Sequence, residues 1–222
     1  MDISLTERPA DLLLIDNWID PACDALASVG WFCARDALSE VLVDLMRAEL
    51  DELLEEGRLH RAGIGREFDF QLASDVRRDW IFWLARARPR QAAFLDAAET
   101  LRRALNRRLF LGLFEFEAHL ALYPPCAFYR RHFDSFVGAA NRVVSLVLYL
   151  NRDRSPGDGG ELVLYAPGGG EAARIEPQAG TLVLMLSEEI EHEVLVTRAE
   201  RASVAGWFRL NASRADVVDP PR

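Results

Sequence analysis

The chain has 222 residues and not one lysine; all 26 of its basic residues are arginine. Any function resting on a lysine side chain is excluded, and a cation that holds a ligand must be arginine. Cysteine is scarce. Cys23, Cys33 and Cys126 are odd in number and form no Cys-x-x-Cys, which excludes a disulfide framework and a zinc ribbon. Each reads as a small inert side chain in a reducing, cytoplasmic setting. There is no run of about eighteen apolar residues, so no membrane-spanning helix is expected. The N-terminal stretch MDISLTERPADLLLIDNWID is acidic and has no basic region followed by an apolar one, so no secretory leader is expected. A net charge of −9 disfavours general contact with phosphate backbones or anionic lipid, so neither nucleic acid nor membrane is expected as a partner.

What is present is enough for a core: 50% of residues are hydrophobic, and the length suits one domain. We read residues 1–222 as a single domain. Residues 1–112 are a largely helical supporting region and 113–211 a β core. Leu12 to Ile15 reads as a short strand. Asp20-Pro21 reads as a helix start, with Asp20 at the N-cap. Asp36 to Leu59 carries apolar residues at three-four spacing, from Leu38 and Val41 to Leu53 and Leu54, which predicts an amphipathic helix. A second long helix is predicted over about Pro89 to Leu109, and a loop or hairpin over Ala62 to Ser74. After residue 113 the pattern changes. Residues 114–123, 142–151, 161–165, 181–186 and 202–210 are short, apolar and rich in β-branched or aromatic residues, with Gly/Pro turns between them. Strands at this spacing predict a sandwich or jelly roll, with the helices packed outside it.

Histidine is also rare, with four in the chain. His60 and His119 read as structural or surface residues. His132 lies in Tyr129-Arg130-Arg131-His132-Phe133-Asp134. In extended chain, residues two apart point to the same side, so His132 and Asp134 can reach one point. His192 lies next to predicted strands that a β sandwich can bring alongside. Two imidazoles and one carboxylate on one face suit a non-haem Fe(II) centre, whose open positions accept a chelating 2-oxo acid and O2. His-x-Asp alone is common, and a polar surface strand is its simpler reading. Downstream come Arg201 and Ser203. The distal carboxylate of a 2-oxo dicarboxylate needs a buried cation, and arginine offers a bidentate fork. The tyrosine of Leu148-Tyr149-Leu150-Asn151 could share that carboxylate, and Tyr123 could line the same cavity. The bland alternatives are a surface arginine at a strand end and ordinary aromatic packing.

From Tyr123 to Leu210 the chain resembles the prolyl 4-hydroxylase family of Fe(II)/2-oxoglutarate oxygenases, and within it the bacterial relatives of the hypoxia-pathway prolyl hydroxylases. The resemblance is carried by Tyr-x5-Tyr-x2-His-x-Asp from Tyr123 to Asp134, then Leu148-Tyr149-Leu150-Asn151 and Gly159-Gly160-Glu161-Leu162. Ile175-Glu176-Pro177, His192-Glu193-Val194 and Arg201-x-Ser203-x2-Gly206-Trp207 follow in order. It implies a double-stranded β-helix (jelly roll) with N-terminal supporting helices. It implies His132, Asp134 and His192 as catalytic iron ligands, and Arg201, Tyr149, Tyr123 and Ser203 around 2-oxoglutarate. The implied cofactors are Fe(II), 2-oxoglutarate and O2, with ascorbate as an optional reductant. Collagen-type relatives hold the carboxylate with lysine, which this chain lacks. Ala205 departs from the threonine of the hypoxia-type enzymes, and Asp-Arg-Ser-Pro-Gly after Asn151 is a variable stretch. Arg77-Arg78-Asp79 resembles a family segment that positions peptide substrates, which implies Arg77 and Asp79 as substrate-binding residues under a covering loop near 61–74. A salt-linked strand edge is the alternative.

The implied activity is hydroxylation of a prolyl residue in a protein or peptide, with a translation factor as a candidate target. Hydroxylation of a free amino acid or small metabolite is the enzymatic alternative. A non-catalytic iron or 2-oxoglutarate sensor is the alternative from another class.

Overall fold

The computed structural model describes residues 18–63, 75–135 and 141–211. The strand expected at Leu12 to Ile15, and the loop expected near 61–74 from residue 64 onward, lie outside the described residues. Among the described residues no helix is long and apolar enough to cross a membrane.

Among the described residues three helices support the β core. Helix α1 (Ile19–Ser28) starts earlier than its sequence signal, with Trp18 rather than Asp20 at the N-cap. The Trp18 indole donates to Ala37 O at 2.9 Å and anchors the entry. Asp20 and Pro21 fall inside the first turn, where an acidic side chain and a missing N–H are both tolerated. Helix α2 (Glu40–Glu55) is capped by Ser39, whose hydroxyl accepts from Leu42 N at 3.3 Å. It is shorter than its apolar stripe because Asp36, at φ 56, turns away to bond Gly180 O. Helix α3 (Pro89–Leu109) begins on proline and ends at Phe110 in the left-handed region, with φ 54. Buried Glu49 of α2 clamps the two helices by accepting from Arg88 and from Gln91 Nε2 at 2.7 Å.

Among the described residues eleven strands form two antiparallel sheets. They are β1 (Trp31–Ala34), β2 (His60–Arg61), β3 (Trp80–Trp83), β4 (Glu115–Tyr123), β5 (Tyr129–His132), β6 (Arg142–Tyr149), β7 (Leu162–Tyr165), β8 (Glu171–Ile175), β9 (Leu182–Leu186), β10 (Glu191–Val194) and β11 (Arg201–Arg209). The major sheet runs β1-β9-β6-β11-β4-β3-β2, and the minor sheet β5-β10-β7-β8. This is the double-stranded β-helix expected from the sequence. The N-terminal region is not helical alone: it adds β1 to one edge of the major sheet and β2 and β3 to the other.

The major sheet is covered on both faces, so its strands read as nearly continuous apolar runs. Leu120 and Leu122 of β4, Leu146 and Leu148 of β6, and Val204 and Phe208 of β11 join α1–α3 in one core cluster. The alternate residues face the minor sheet. There Tyr123, Tyr149, Val183 and Met185 meet Leu162, Leu164 and Val194 in a second cluster. On this inner face the apolar pattern is interrupted by Ser145, Arg201 and Ser203, all 2% exposed or less. Polar groups buried at that depth need partners, and theirs define the site.

Candidate active site and metal centre

The site forms where the minor sheet closes over the polar part of that inner face. Strands β5 and β10 pair so that His132 is directly opposite His192, with 4.3 Å between ring centroids. Asp134 follows β5 and returns to the same side. The Asp134 carboxylate lies 3.6 Å from His132 Nε2 and 3.7 Å from His192 Nε2. Nitrogen and oxygen atoms of all three residues fall within 4.8 Å of one another. These three residues would hold a single first-row metal ion.

Hydrogen bonding fixes what these atoms can do. His132 Nδ1 faces Arg130 O at 2.7 Å, and His192 Nδ1 faces Ile190 O at 3.0 Å. A carbonyl only accepts, so each Nδ1 carries the proton and each Nε2 presents a lone pair. Burial, and then His132, push His192 down to about 4, so this imidazole is neutral at pH 7. Burial works against an Asp134 carboxylate, but the two imidazoles, when protonated, and the Ser145 hydroxyl outweigh it and hold the carboxyl well below the usual range. With both imidazoles neutral, two nitrogen lone pairs and an anion converge on one point. A divalent cation fits that donor set.

Ser145 supports Asp134. Its hydroxyl donates to Asp134 Oδ2 at 2.7 Å and lies 2.9 Å from Ser187 Oγ. Ser145 shares a strand face with Tyr149, about 13 Å further along β6 at about 3.3 Å per residue. The second polar group is there. Arg201, 2% exposed, donates from Nε to Gly160 O at 2.8 Å. Its two terminal nitrogens make only long contacts, 3.4 Å to Ser203 Oγ and 3.4 Å to Tyr149 OH. The rings of Tyr123 and Tyr149 lie 4.8 and 4.9 Å from the guanidinium carbon. No carboxylate among the described residues pairs with Arg201. A buried guanidinium so placed offers two donors to an anion of matching shape.

Arg77 and Asp79 are also at the site, but facing each other. Arg77 Nε meets Asp79 Oδ1 at 2.8 Å and its Nη2 meets Oδ2 at 2.5 Å, with both side chains largely buried. The Arg77 guanidinium stacks over the Tyr129 ring at 4.4 Å, and Tyr129 in turn stacks on His132 at 3.6 Å. His60 is exposed. His119 is 3% exposed and sits against Trp83 and Trp207 at ring distances of 5.1 and 5.5 Å.

Ser145 and Arg142 were not singled out by sequence, and Tyr129 and Trp207 stood in its motifs without a role. Arg142 lies 3.6 Å above the Trp207 ring and is held by Glu117 Oε1 at 3.0 and 2.8 Å. A signal existed for Ser145 and Trp207: each keeps even spacing from a residue already marked, Ser145 from Tyr149 and Trp207 from Arg201.

A sequence model of the 2OG-Fe(II) oxygenase superfamily matches residues 118–209. A Pseudomonas putida prolyl-4-hydroxylase structure is 41% identical, with 87% of this chain and 99% of that one covered and a TM-score of 0.79. A Trichoplax adhaerens prolyl hydroxylase, solved with a hypoxia inducible factor peptide fragment, is 22% identical. The match covers 92% of this chain and 94% of that one, with a TM-score of 0.80. The α-ketoglutarate-dependent carbocyclase SnoK of nogalamycin biosynthesis shares the fold at 13% identity and a TM-score of 0.65, over 86% of this chain and 83% of that one.

Proposed function

The chain belongs to the prolyl 4-hydroxylase family of Fe(II)- and 2-oxoglutarate-dependent oxygenases, and on that premise we propose that it hydroxylates a prolyl residue held in a polypeptide segment. The observation that carries this reading is that the two facing sheets bring together a donor set suited to a metal and a buried arginine that no carboxylate among the described residues pairs. His132, Asp134 and His192 would hold Fe(II) from one side and leave positions for the 2-oxo acid and O2. When bound, Fe(II) supplies O2 activation coupled to decarboxylation of 2-oxoglutarate to succinate and CO2.

The chain's own residues bind, orient and shield. Arg201 takes the distal carboxylate in its fork, Tyr149 and Ser203 flank that fork, and Tyr123 lies against it. Ser145 fixes the direction of Asp134. Arg77 and Asp79 act on the substrate side through Tyr129, which they back against His132. Arg142 and Trp207 form a flat cationic-aromatic wall on the same inner face, suited to a small ring and a neighbouring carbonyl. A translation factor is the candidate target protein.

The mutual pairing of Arg77 and Asp79 favours a second reading, because it leaves little of either side chain for direct peptide contact. In that reading the substrate is a free amino acid or small metabolite. Succinate formation with Fe(II), 2-oxoglutarate and either a proline-containing peptide or free proline separates the two. Stimulation by peptide alone supports the first reading, and stimulation by the free amino acid alone replaces it.

A further inference from the structure

Arg154 lies in the connection between β6 and β7 and is an unusual surface-loop arginine. Its side chain is only 9% exposed, and among the described residues the one carboxylate paired with it, Asp158, is 3.9 Å from Nε. Its hydrogen bonds go to backbone instead. Nη1 donates to Glu200 O at 3.0 Å, and Nη2 donates to Gly159 O. Glu200 immediately precedes Arg201. Gly159 immediately precedes Gly160, whose carbonyl accepts from Arg201 Nε. One largely covered guanidinium therefore ties together the two backbone segments that set where Arg201 begins and where its side chain is held.

The segment being held is tightly packed. Gly160 adopts φ +74, and a Cβ there would lie 2.9 Å from Thr197 Cβ and 3.0 Å from Arg201 Cδ. A Cβ on Gly159 would lie 2.4 Å from Val196 O. No side chain fills this corner, so the carbonyls of 159 and 160 can approach two arginines together. Burial, the largest influence, pushes Arg154 below its ordinary value, and the positive charge of Arg201 adds to the effect. The carboxylates of Asp158, Glu161 and Glu176 act in the opposite direction without outweighing it.

We infer that Arg154 is a positioning residue for Arg201, bracing the backbone on both sides of it so that its free nitrogens face the distal carboxylate of the cosubstrate. The inference rests on the reading of Arg201 given above. Arg154 does not touch the cosubstrate. Its effect is confined to 2-oxo acids that carry a second carboxylate at the far end.

The test is calorimetric titration of 2-oxoglutarate into Mn(II)-loaded protein, which binds without turnover, repeated with 2-oxopentanoate, which has the same head and no distal carboxylate. Arg154→Met is expected to weaken 2-oxoglutarate binding about tenfold, the scale seen when a side chain that orients a ligand-holding group is lost. Affinity for 2-oxopentanoate and for Mn(II) stays unchanged, and in turnover KM for 2-oxoglutarate rises while kcat at saturation holds. Arg154→Lys recovers part of the loss by keeping one donor and the charge. If Arg154→Met does not fold, Arg154→Gln carries the same test with a smaller loss selective for 2-oxoglutarate. Unchanged 2-oxoglutarate affinity in a folded variant overturns the inference, as does an equal loss for 2-oxopentanoate and Mn(II). Arg201→Ala is the control: if it too leaves 2-oxoglutarate affinity intact, the reading of Arg201 falls and the inference with it. If Arg201→Ala loses affinity and Arg154→Met does not, only the inference falls.

Discussion

His192 sits directly across the β5–β10 pair from His132, and both rings turn Nε2 toward the Asp134 carboxylate. Cross-strand register, rather than a loop, sets the distance between the two imidazoles. Strand-borne ligands are more precisely held than loop-borne ones.

Replacing His132, Asp134 or His192 by alanine is therefore expected to abolish coupled turnover and weaken Mn(II) or Fe(II) binding, with the fold intact by circular dichroism. Each change removes one donor from the set. Any of the three variants keeping wild-type turnover removes that residue from the centre.

Arg201→Ala should raise the 2-oxoglutarate requirement far more than the iron requirement. It strips a buried carboxylate of its partner, a loss of roughly 3–5 kcal/mol in comparable buried pairs. Arg201→Lys should recover only part, because the planar fork is lost. Titration calorimetry showing equal affinity in Arg201→Ala and wild type would exclude Arg201 from the cosubstrate site.

Arg77→Ala and Asp79→Asn are expected to impair peptide hydroxylation while leaving Fe(II) and 2-oxoglutarate binding in place. Both loosen the support behind Tyr129, which lies between them and His132. Slow decarboxylation of 2-oxoglutarate without peptide should persist in both variants. If peptide kinetics match wild type, the pair is a structural ion pair only.

His119 gives a pH prediction independent of the metal. Burial, and then the charge of Arg77, lower it to about 4 from an ordinary 6.5. The folded state thus prefers the neutral ring. Its contribution is present above pH 6.5 and is lost as pH falls from 6.5 toward 4, amounting to about 3 kcal/mol in full. His119→Phe keeps an aromatic ring between Trp83 and Trp207 and has no proton to take up. Its urea-unfolding free energy should fall less steeply than wild type between pH 6.5 and 4. Identical slopes would mean that His119 does not drive acid sensitivity.

What could be read from sequence followed burial. Strands β4, β6, β7, β9 and β11 lie in the apolar interior and announce themselves as apolar runs, and α3 does so through its 3.6-residue stripe. Strands β5 and β10 carry the sequences YRRH and EHEV, where side chains needed for chemistry or facing solvent displace the apolar signal. Strand β8, EAARI, is an exposed edge that pairing with β7 makes into a strand. The convergence of His132 and Asp134 was legible from their two-residue spacing. The bond between Arg77 and Asp79 was not, because the same spacing serves equally for two side chains that face a substrate. Nor was the brace of Arg154, since its partners are backbone carbonyls that carry no sequence signature.

The activity proposed for this chain is oxidation of a prolyl carbon in a protein. The most direct measurement is mass spectrometry of a bacterial proteome extract incubated with the protein, Fe(II) and 2-oxoglutarate, alongside the His132→Ala variant. The account predicts one or a few peptides gaining the mass of one oxygen atom on a prolyl residue, with wild type and not with the variant. Oxygen gain confined to a free amino acid or small metabolite, with no prolyl peptide altered, would contradict it.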